Sequence, residues 1–219
     1  MKNNETLQKD VQDAIKWEPL LNAAEIGVTA KDGIITLSGK VDSYNKKSEA
    51  ENAAKNVEGV TAVVEKIEIK FNDYGKKDDN EIASEVVNAF KWNWQIPNDK
   101  IKVKVEDGWI TLEGGLEWNY QKEAAKLSAS TLEGVRGISN NIIIKSETRD
   151  NVEKSDIESA IGRNSSIDND GIVVNVSGNR VTLKGSVGSF YQKDAAERIA
   201  WNAPGVTTVD NELVIEYNF

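Results

Sequence analysis

The chain has 219 residues, of which 39% are hydrophobic and 29% charged, as in ordinary globular proteins. It contains no cysteine and no histidine, which removes disulfides, thiolate chemistry, the usual general base and the commonest metal ligand. The net charge is −9 and no third of the chain is basic, whereas nucleic-acid binders carry a concentrated positive surface. We therefore expect a protein that is not an enzyme, holds no cofactor or metal, and binds no nucleic acid.

No segment approaches the roughly 18 consecutive apolar residues that a membrane-spanning helix needs. The first residues, Met1 to Thr6, lack the apolar stretch of a signal peptide. These two observations predict a protein without a transmembrane segment, located in the cytoplasm.

One pattern, Ile/Val-Thr-Leu-x-Gly, occurs three times in the chain. Its glycines are 75 and 71 residues apart, and a Gly-Val pair follows each of them after twenty residues. The three copies are Ile35–Gly39, Ile110–Gly114 and Val181–Gly185, followed by Gly59, Gly134 and Gly205. Such a period predicts three tandem copies of one small folding unit. We place these units at residues 1–74, 75–148 and 149–219.

Each unit begins with apolar residues at helical spacing. They are Leu7, Val11 and Ile15, then Ile82, Val86 and Phe90, then Ile157 and Ile161. In the third unit, Ser155 and Glu158 have the spacing of a capping box, which predicts that Ser155 is the N-cap of this helix.

An alternating segment, a glycine turn and the Ile/Val-Thr-Leu-x-Gly strand then predict a β-hairpin. A second helix follows from about Ser43, Trp118 and Ser189, and a last strand follows the Gly-Val pair. The fold class is therefore α+β, with three tandem αββαβ units, each a mixed three-stranded sheet with two helices on one face. Gly39, Gly114 and Gly185 lie on the inward phase of a strand, which predicts a bulge or the close passage of a helix.

This αββαβ unit resembles the BON domain of bacterial osmotic-stress and envelope proteins. The resemblance rests on the glycine hairpin, the Val/Ile-Thr-Leu-x-Gly strand and the Gly-Val turn of all three units. It implies association with phospholipid at a membrane surface in a stress response, and it implies no catalytic residues. A soluble protein-interaction scaffold and a potassium-type ion-responsive protein remain alternatives, and the sequence leaves the oligomeric state open.

The second unit carries a distinctive set of lysines. Lys100, Lys102 and Lys104 share one strand phase, and Trp109 and Ile143 take the outward phase of the neighbouring strands. We expect an apolar centre beside a cationic row, a combination that suits an anionic phospholipid surface. The alternative is that the lysines protect an edge strand and that Trp109 packs on a neighbouring repeat.

The remaining aromatic residues divide into recurring and unique ones. Trp17 recurs as Trp92 and Tyr120 recurs as Tyr191, which favours structural packing for both pairs. Trp94 and Trp118 have no aromatic counterparts, so they are candidates for a contact with a partner protein or a membrane.

Overall fold

The computed structural model describes residues 2–71, 77–145, 152–167 and 171–216. Its elements confirm three tandem α+β units of order αββαβ. The first unit contains α1 (Asn4–Trp17), β1 (Ile26–Lys31), β2 (Ile34–Val41), α2 (Tyr44–Lys55) and β3 (Ala62–Ile69). The second contains α3 (Asp79–Trp92), β4 (Ile101–Glu106), β5 (Trp109–Leu116), α4 (Asn119–Ser130) and β6 (Gly137–Ile144). The third contains α5 (Lys154–Gly162), β7 (Ile172–Ser177), β8 (Arg180–Val187), α6 (Phe190–Trp201) and β9 (Thr208–Ile215).

Each unit has its own three-stranded sheet, and the second hairpin strand lies at its centre. In the second unit β4 runs antiparallel to β5, from the pair Ile101 and Gly114 to the pair Glu106 and Trp109. Strand β6 runs parallel to β5 on its other side, from Gly137 opposite Trp109 to Ile144 opposite Leu116. The third unit repeats both pairings. The proposed boundaries at 74/75 and 148/149 lie outside the described residues.

The hydrophobic core of each unit lies between one face of the sheet and the two helices. In the second unit it consists of Ile82, Val86, Phe90, Ile110, Leu112, Leu116, Ala125, Ala129, Val135 and Ile142, all fully buried. The alanines of α4 at four-residue spacing face the sheet, as the sequence predicts, and their small side chains let the helix backbone approach it closely. Because both helices cover the same face, neither helix of the unit lies on the opposite face of its sheet.

The glycine of the repeated strand motif is required by a close backbone contact. Gly39, Gly114 and Gly185 have positive φ angles of 132°, 153° and 114°. A Cβ on Gly114 would overlap the carbonyl oxygen of Lys100, and one on Gly185 would overlap that of Gly171. The predicted close passage of a helix is therefore wrong at these two positions, because the neighbour is the chain just before the first hairpin strand.

In the first and second units, side chains and backbone groups bind the hairpin turn to the elements around it. The Asp79 carboxylate accepts hydrogen bonds from the backbone N–H groups of Asp107 and Gly108, both at 2.9 Å. The Gly108 carbonyl accepts the N–H of Arg136 at 2.9 Å, just before β6. The first unit repeats this arrangement, with the Asn4 side chain accepting from the N–H of Asp32. The hairpin is thus bound to both the first helix and the last strand.

Helix α5 differs from the sequence expectation at its start. It begins at Lys154, and the preceding Glu153 makes no capping hydrogen bond through its side chain. The predicted N-cap at Ser155 is therefore wrong by two residues, and Ser155 lies inside the first turn. A capping box occurs in α3 instead, where Asp78 and Glu81 bond to each other's backbone N–H groups at 2.8 and 2.9 Å.

We predict that Gly114→Ala lowers the free energy of unfolding of the second unit by about 3 kcal/mol, because it adds both a steric overlap and backbone strain. The matched control is Gly178→Ala, since Gly178 also has a positive φ of 60° but no atom lies within 4 Å of its would-be Cβ. The control should lower the free energy of unfolding by only about 1 kcal/mol, because an alanine there is strained by the left-handed backbone conformation alone. Denaturant unfolding, combined with hydrogen exchange in each unit, measures the change in free energy of unfolding for both variants. Equal decreases in the two variants would contradict the close-contact explanation.

Candidate functional site

The uncovered face of the second sheet, here called the open face, carries the residues that alternate with the buried ones in β4, β5 and β6. They are Lys102, Lys104, Glu106, Trp109, Thr111, Glu113, Gly115, Gly137, Ser139, Asn141 and Ile143. The open face therefore contains two of the three candidate lysines and both of the predicted apolar residues.

The lysines are less uniform than the sequence suggests. Lys100 lies in a short 3-10 turn before β4, so it is exposed next to the strand rather than part of it. The ammonium of Lys104 forms an ion pair with Glu106 at 2.9 Å. Lys102 stands directly opposite Glu113 in the neighbouring strand. Carboxylates thus accompany two of the three predicted cations.

A further lysine reaches the open face, which sequence reasoning missed. A Cβ on Gly115 would lie 3.0 Å from Cδ of Lys145, so the aliphatic part of Lys145 passes over that glycine. Lys145 directly follows β6 and continues the outward phase of Ile143. This phase was the available signal, but the register of β6 against β5 was needed to place Lys145 beside Gly115.

Trp109 and Ile143 are each 55% exposed on the open face. Trp109 stands opposite Gly137, and its ring occupies the space that a side chain there would take. Ile143 stands opposite Gly115, six residues further along the strands, which is about 20 Å. The predicted single apolar centre is therefore wrong, because the parallel register separates the two side chains. Trp109 covers a glycine of its own sheet.

The recurring tryptophans do not pack as expected. Trp17 and Trp92 are 86% and 90% exposed. Each is the last residue of the first helix of its unit and follows the last core residue, Ile15 or Phe90, by two positions. Two residues turn a helix by about 200°, so the side chain points away from the sheet. The prediction of packing in the core of the unit is therefore wrong for both.

The two unique tryptophans lie in different environments. Trp94 is 87% exposed in the turn after α3, whereas Trp118 is partly buried and precedes α4. The side-chain amide of Asn93 donates to Ser128 Oγ at 3.2 Å, which places the start of this turn beside the end of α4. Ser128 is ten residues, or about 15 Å, beyond Trp118 along that helix. No described contact joins Trp94 to Trp118. The recurring Tyr120 and Tyr191 are each about half exposed.

A cleft of about 520 Å³ lies at the hairpin end of the second unit. It is lined by Phe71, Lys77, Asp78, Asp79, Asp107, Gly108, Gly134 and Arg136. The Arg136 guanidinium lies 5.5 Å from the Phe71 ring centre, a cation–π contact. A hydrogen bond from Lys77 to Glu85 at 2.6 Å raises the pKa of the Lys77 ammonium. Asp78 and Asp79 already bind backbone N–H groups, so most charged groups of this cleft have structural partners.

Within the described ranges, no group of three acidic side chains has the arrangement of a metal site. No helix in that part of the chain is both long and apolar enough to cross a bilayer.

We predict that Trp92→Ala and Trp94→Ala each change the free energy of unfolding by no more than about 0.5 kcal/mol, because both side chains are almost wholly solvated. Phe90→Ala, in the same helix but fully buried, should cost about 3–5 kcal/mol. Denaturant unfolding of the three variants tests the difference. A decrease of more than about 2 kcal/mol in the free energy of unfolding for either tryptophan variant would show that the side chain packs against other residues.

Comparison with known proteins agrees with the repeated architecture. The BON domain family matches at residues 3–70, 78–146 and 149–217. Over 129 residues the chain is 29% identical to osmotically-inducible protein Y of Escherichia coli strain K12, which covers 57% of this chain. The chain spans 64% of the length of that relative.

Two solved structures of CdsD, a structural protein of the type III secretion system of Chlamydia trachomatis, also align with the chain. One is its C-terminal domain, with 17% identity, a TM-score of 0.26 and coverage of 98% of this chain and 100% of that one. The other has 16% identity and the same TM-score, with coverage of 97% and 93%. Likeness at this level carries no functional argument. The three family matches cover nearly the whole sequence, and the chain therefore belongs to the BON domain family.

Proposed function

We propose that this protein contacts an anionic phospholipid surface through the open face of its second unit, as part of a response to osmotic stress. The stress role is supported by the similarity to osmotically-inducible protein Y. The lipid contact is supported by what BON domains are expected to do and by the charges of the open face. The activity is binding, without a catalytic step.

The observation that carries this proposal is the charge difference between equivalent faces of the second and third sheets. In the described part of the third face, Arg180 pairs with Asp210 at 2.5 Å and Lys184 pairs with Glu212 at 3.2 Å. The open face and its rim carry four lysines against three carboxylates. These are Lys100, Lys102, Lys104 and Lys145, with Glu106, Glu113 and Glu117, which follows β5 as Lys145 follows β6. The second face therefore has an excess of positive charge although the whole chain is acidic.

The open face also has the shape and chemistry for contact with lipid headgroups. A helix-free sheet presents its side chains in parallel rows, so several lysines reach one flat surface together. Each lysine near an anionic bilayer contributes about 1 kcal/mol. The half-exposed indole of Trp109 adds an amphipathic ring of the kind enriched at the bilayer interface. Together these groups favour reversible, salt-sensitive binding.

We predict that the triple variant Lys100→Glu, Lys102→Glu and Lys104→Glu binds anionic vesicles at least roughly 100-fold more weakly, since three contributions of about 1 kcal/mol are lost. The measurement is flotation with vesicles of phosphatidylglycerol and phosphatidylcholine, compared with phosphatidylcholine alone, at low and physiological salt. Wild-type binding should require the anionic lipid and weaken with salt.

The matched control reverses three exposed lysines on helices, by Lys9→Glu, Lys16→Glu and Lys126→Glu, and so changes the net charge equally. It should retain most of the binding, and the melting temperatures of both variants should stay close to that of the wild type. An equal loss of vesicle binding in the two variants would show that binding depends on net charge and not on the open face. Unchanged binding of the first variant would overturn the assignment of the open face.

A second function, a soluble protein-interaction scaffold, is favoured by the exposure of Trp92 and Trp94. Two tryptophans, 90% and 87% solvated within three residues, form an aromatic surface that a partner protein can cover. Absence of flotation under every condition would favour this function. The vesicle experiment therefore separates the two proposals before any partner is identified.

A further inference from the structure

We propose that the free edge of β6 pairs antiparallel with β6 of a second copy of this chain, centred on Asn140, so that two three-stranded sheets become one of six strands. This inference concerns self-association and does not depend on lipid binding.

Strand β6 forms one edge of its sheet, since the strand order is β4-β5-β6 and no other described strand bonds to it. Proteins usually protect such edges with charged side chains. The equivalent strands follow this rule, with Glu65, Lys66 and Glu68 in β3 and Asp210 and Glu212 in β9. Strand β6 reads Gly-Ile-Ser-Asn-Asn-Ile-Ile-Ile and carries no charge over eight residues. Its edge therefore lacks the usual barrier to strand pairing.

The backbone groups of β6 alternate in direction. The N–H of Lys145 donates to the Leu116 carbonyl at 2.7 Å, so the odd-numbered residues direct their N–H and C=O groups towards β5. The even-numbered residues Ile138, Asn140 and Ile142 direct theirs towards the free edge. One of these groups has a local partner, because the Ile142 N–H lies 3.4 Å from Asn140 Oδ1. That distance is long for a hydrogen bond, so a second strand can replace it at little cost.

The register follows from the two exposed apolar residues of the open face. An antiparallel pair centred on Asn140 places Ile143 of the second copy directly opposite Gly137. Trp109 already lies over Gly137, so its ring would contact that isoleucine. The same contact occurs twice by symmetry, which covers both side chains that are 55% exposed and 20 Å apart in one copy. Ser139 then faces Asn141 of the second copy, and no like charges meet.

The first test is the mass in solution, measured by sedimentation equilibrium between about 1 µM and 1 mM. The wild type should rise from 24.1 kDa towards twice that mass with concentration. The double variant Ser139→Asp and Asn141→Glu introduces the residues that β9 has at the equivalent positions, Asp210 and Glu212, so this fold accommodates them. Its acidic groups face each other across the pair, and it should remain at 24.1 kDa.

The matched control is Asn175→Asp with Ser177→Glu, which adds the same charges to outward positions of β7. Strand β7 is likewise an uncharged edge strand. It has six residues where β6 has eight, and it runs antiparallel to its neighbour β8, whereas β6 runs parallel to β5. The control should associate as the wild type does. A wild type that stays monomeric at every concentration, or a β6 variant that still doubles its mass, would overturn the proposal.

The second test determines the register of the two β6 strands by disulfide cross-linking. Because the chain contains no cysteine, the introduced cysteines are its only thiols. Ser139→Cys and Asn141→Cys proteins are mixed and oxidised. Directly opposite residues at positions 139 and 141 lie about 4.5 Å apart between Cα atoms, within disulfide range. Residue 139 of one copy and residue 139 of the other are diagonal, offset by two residues, and so are the two copies of residue 141. The diagonal distance is about 7–8 Å, which is beyond disulfide range. The mixed disulfide should dominate, and a random distribution of the three products would refute the register.

Discussion

The close backbone contact at the strand-motif glycine is the constraint on which the second and third BON units depend. Gly114 lies against the Lys100 carbonyl and Gly185 against that of Gly171, so the chain enters the hairpin directly beside its central strand. The hairpin then presents one face to both helices, and the alanines of α4 and α6 let them approach it closely. The parallel third strand follows from the helical crossover. A sheet face that neither helix of the unit covers is a consequence of this construction.

The sequence predicts the architecture well because each element has its own local signal. The apolar spacing of Leu7, Val11 and Ile15 identifies the first helix, and the glycine turn identifies the hairpin. Recurrence at a period of about 75 residues separates these structural signals from chance. The predicted N-cap of α5 is two residues off because the Ser155 and Glu158 pattern resembles a cap without forming one. Capping depends on side-chain geometry that spacing alone does not specify.

The candidate site is less predictable, because it depends on which residues become neighbours across strands. Alternation correctly assigns Trp109 and Ile143 to the outward phase, but only the register of β6 shows them 20 Å apart. Recurrence of Trp17 and Trp92 favours packing in the core, yet each residue lies two positions beyond the last core residue of its helix and is exposed to solvent. A recurring residue thus indicates an equivalent position in the fold and does not reveal whether that position is buried.

Strand pairing through β6 and lipid contact through the open face would reinforce each other. The two-fold axis of an antiparallel strand pair runs perpendicular to the sheet, so both open faces would point to the same side. Once one face is bound, the second meets the membrane at a high effective concentration, which raises the overall affinity without new contacts. By thermodynamic reciprocity, a membrane that binds the pair more tightly than single chains also promotes pairing. An acidic protein with few excess lysines per open face could in this way respond steeply to the density of anionic lipid.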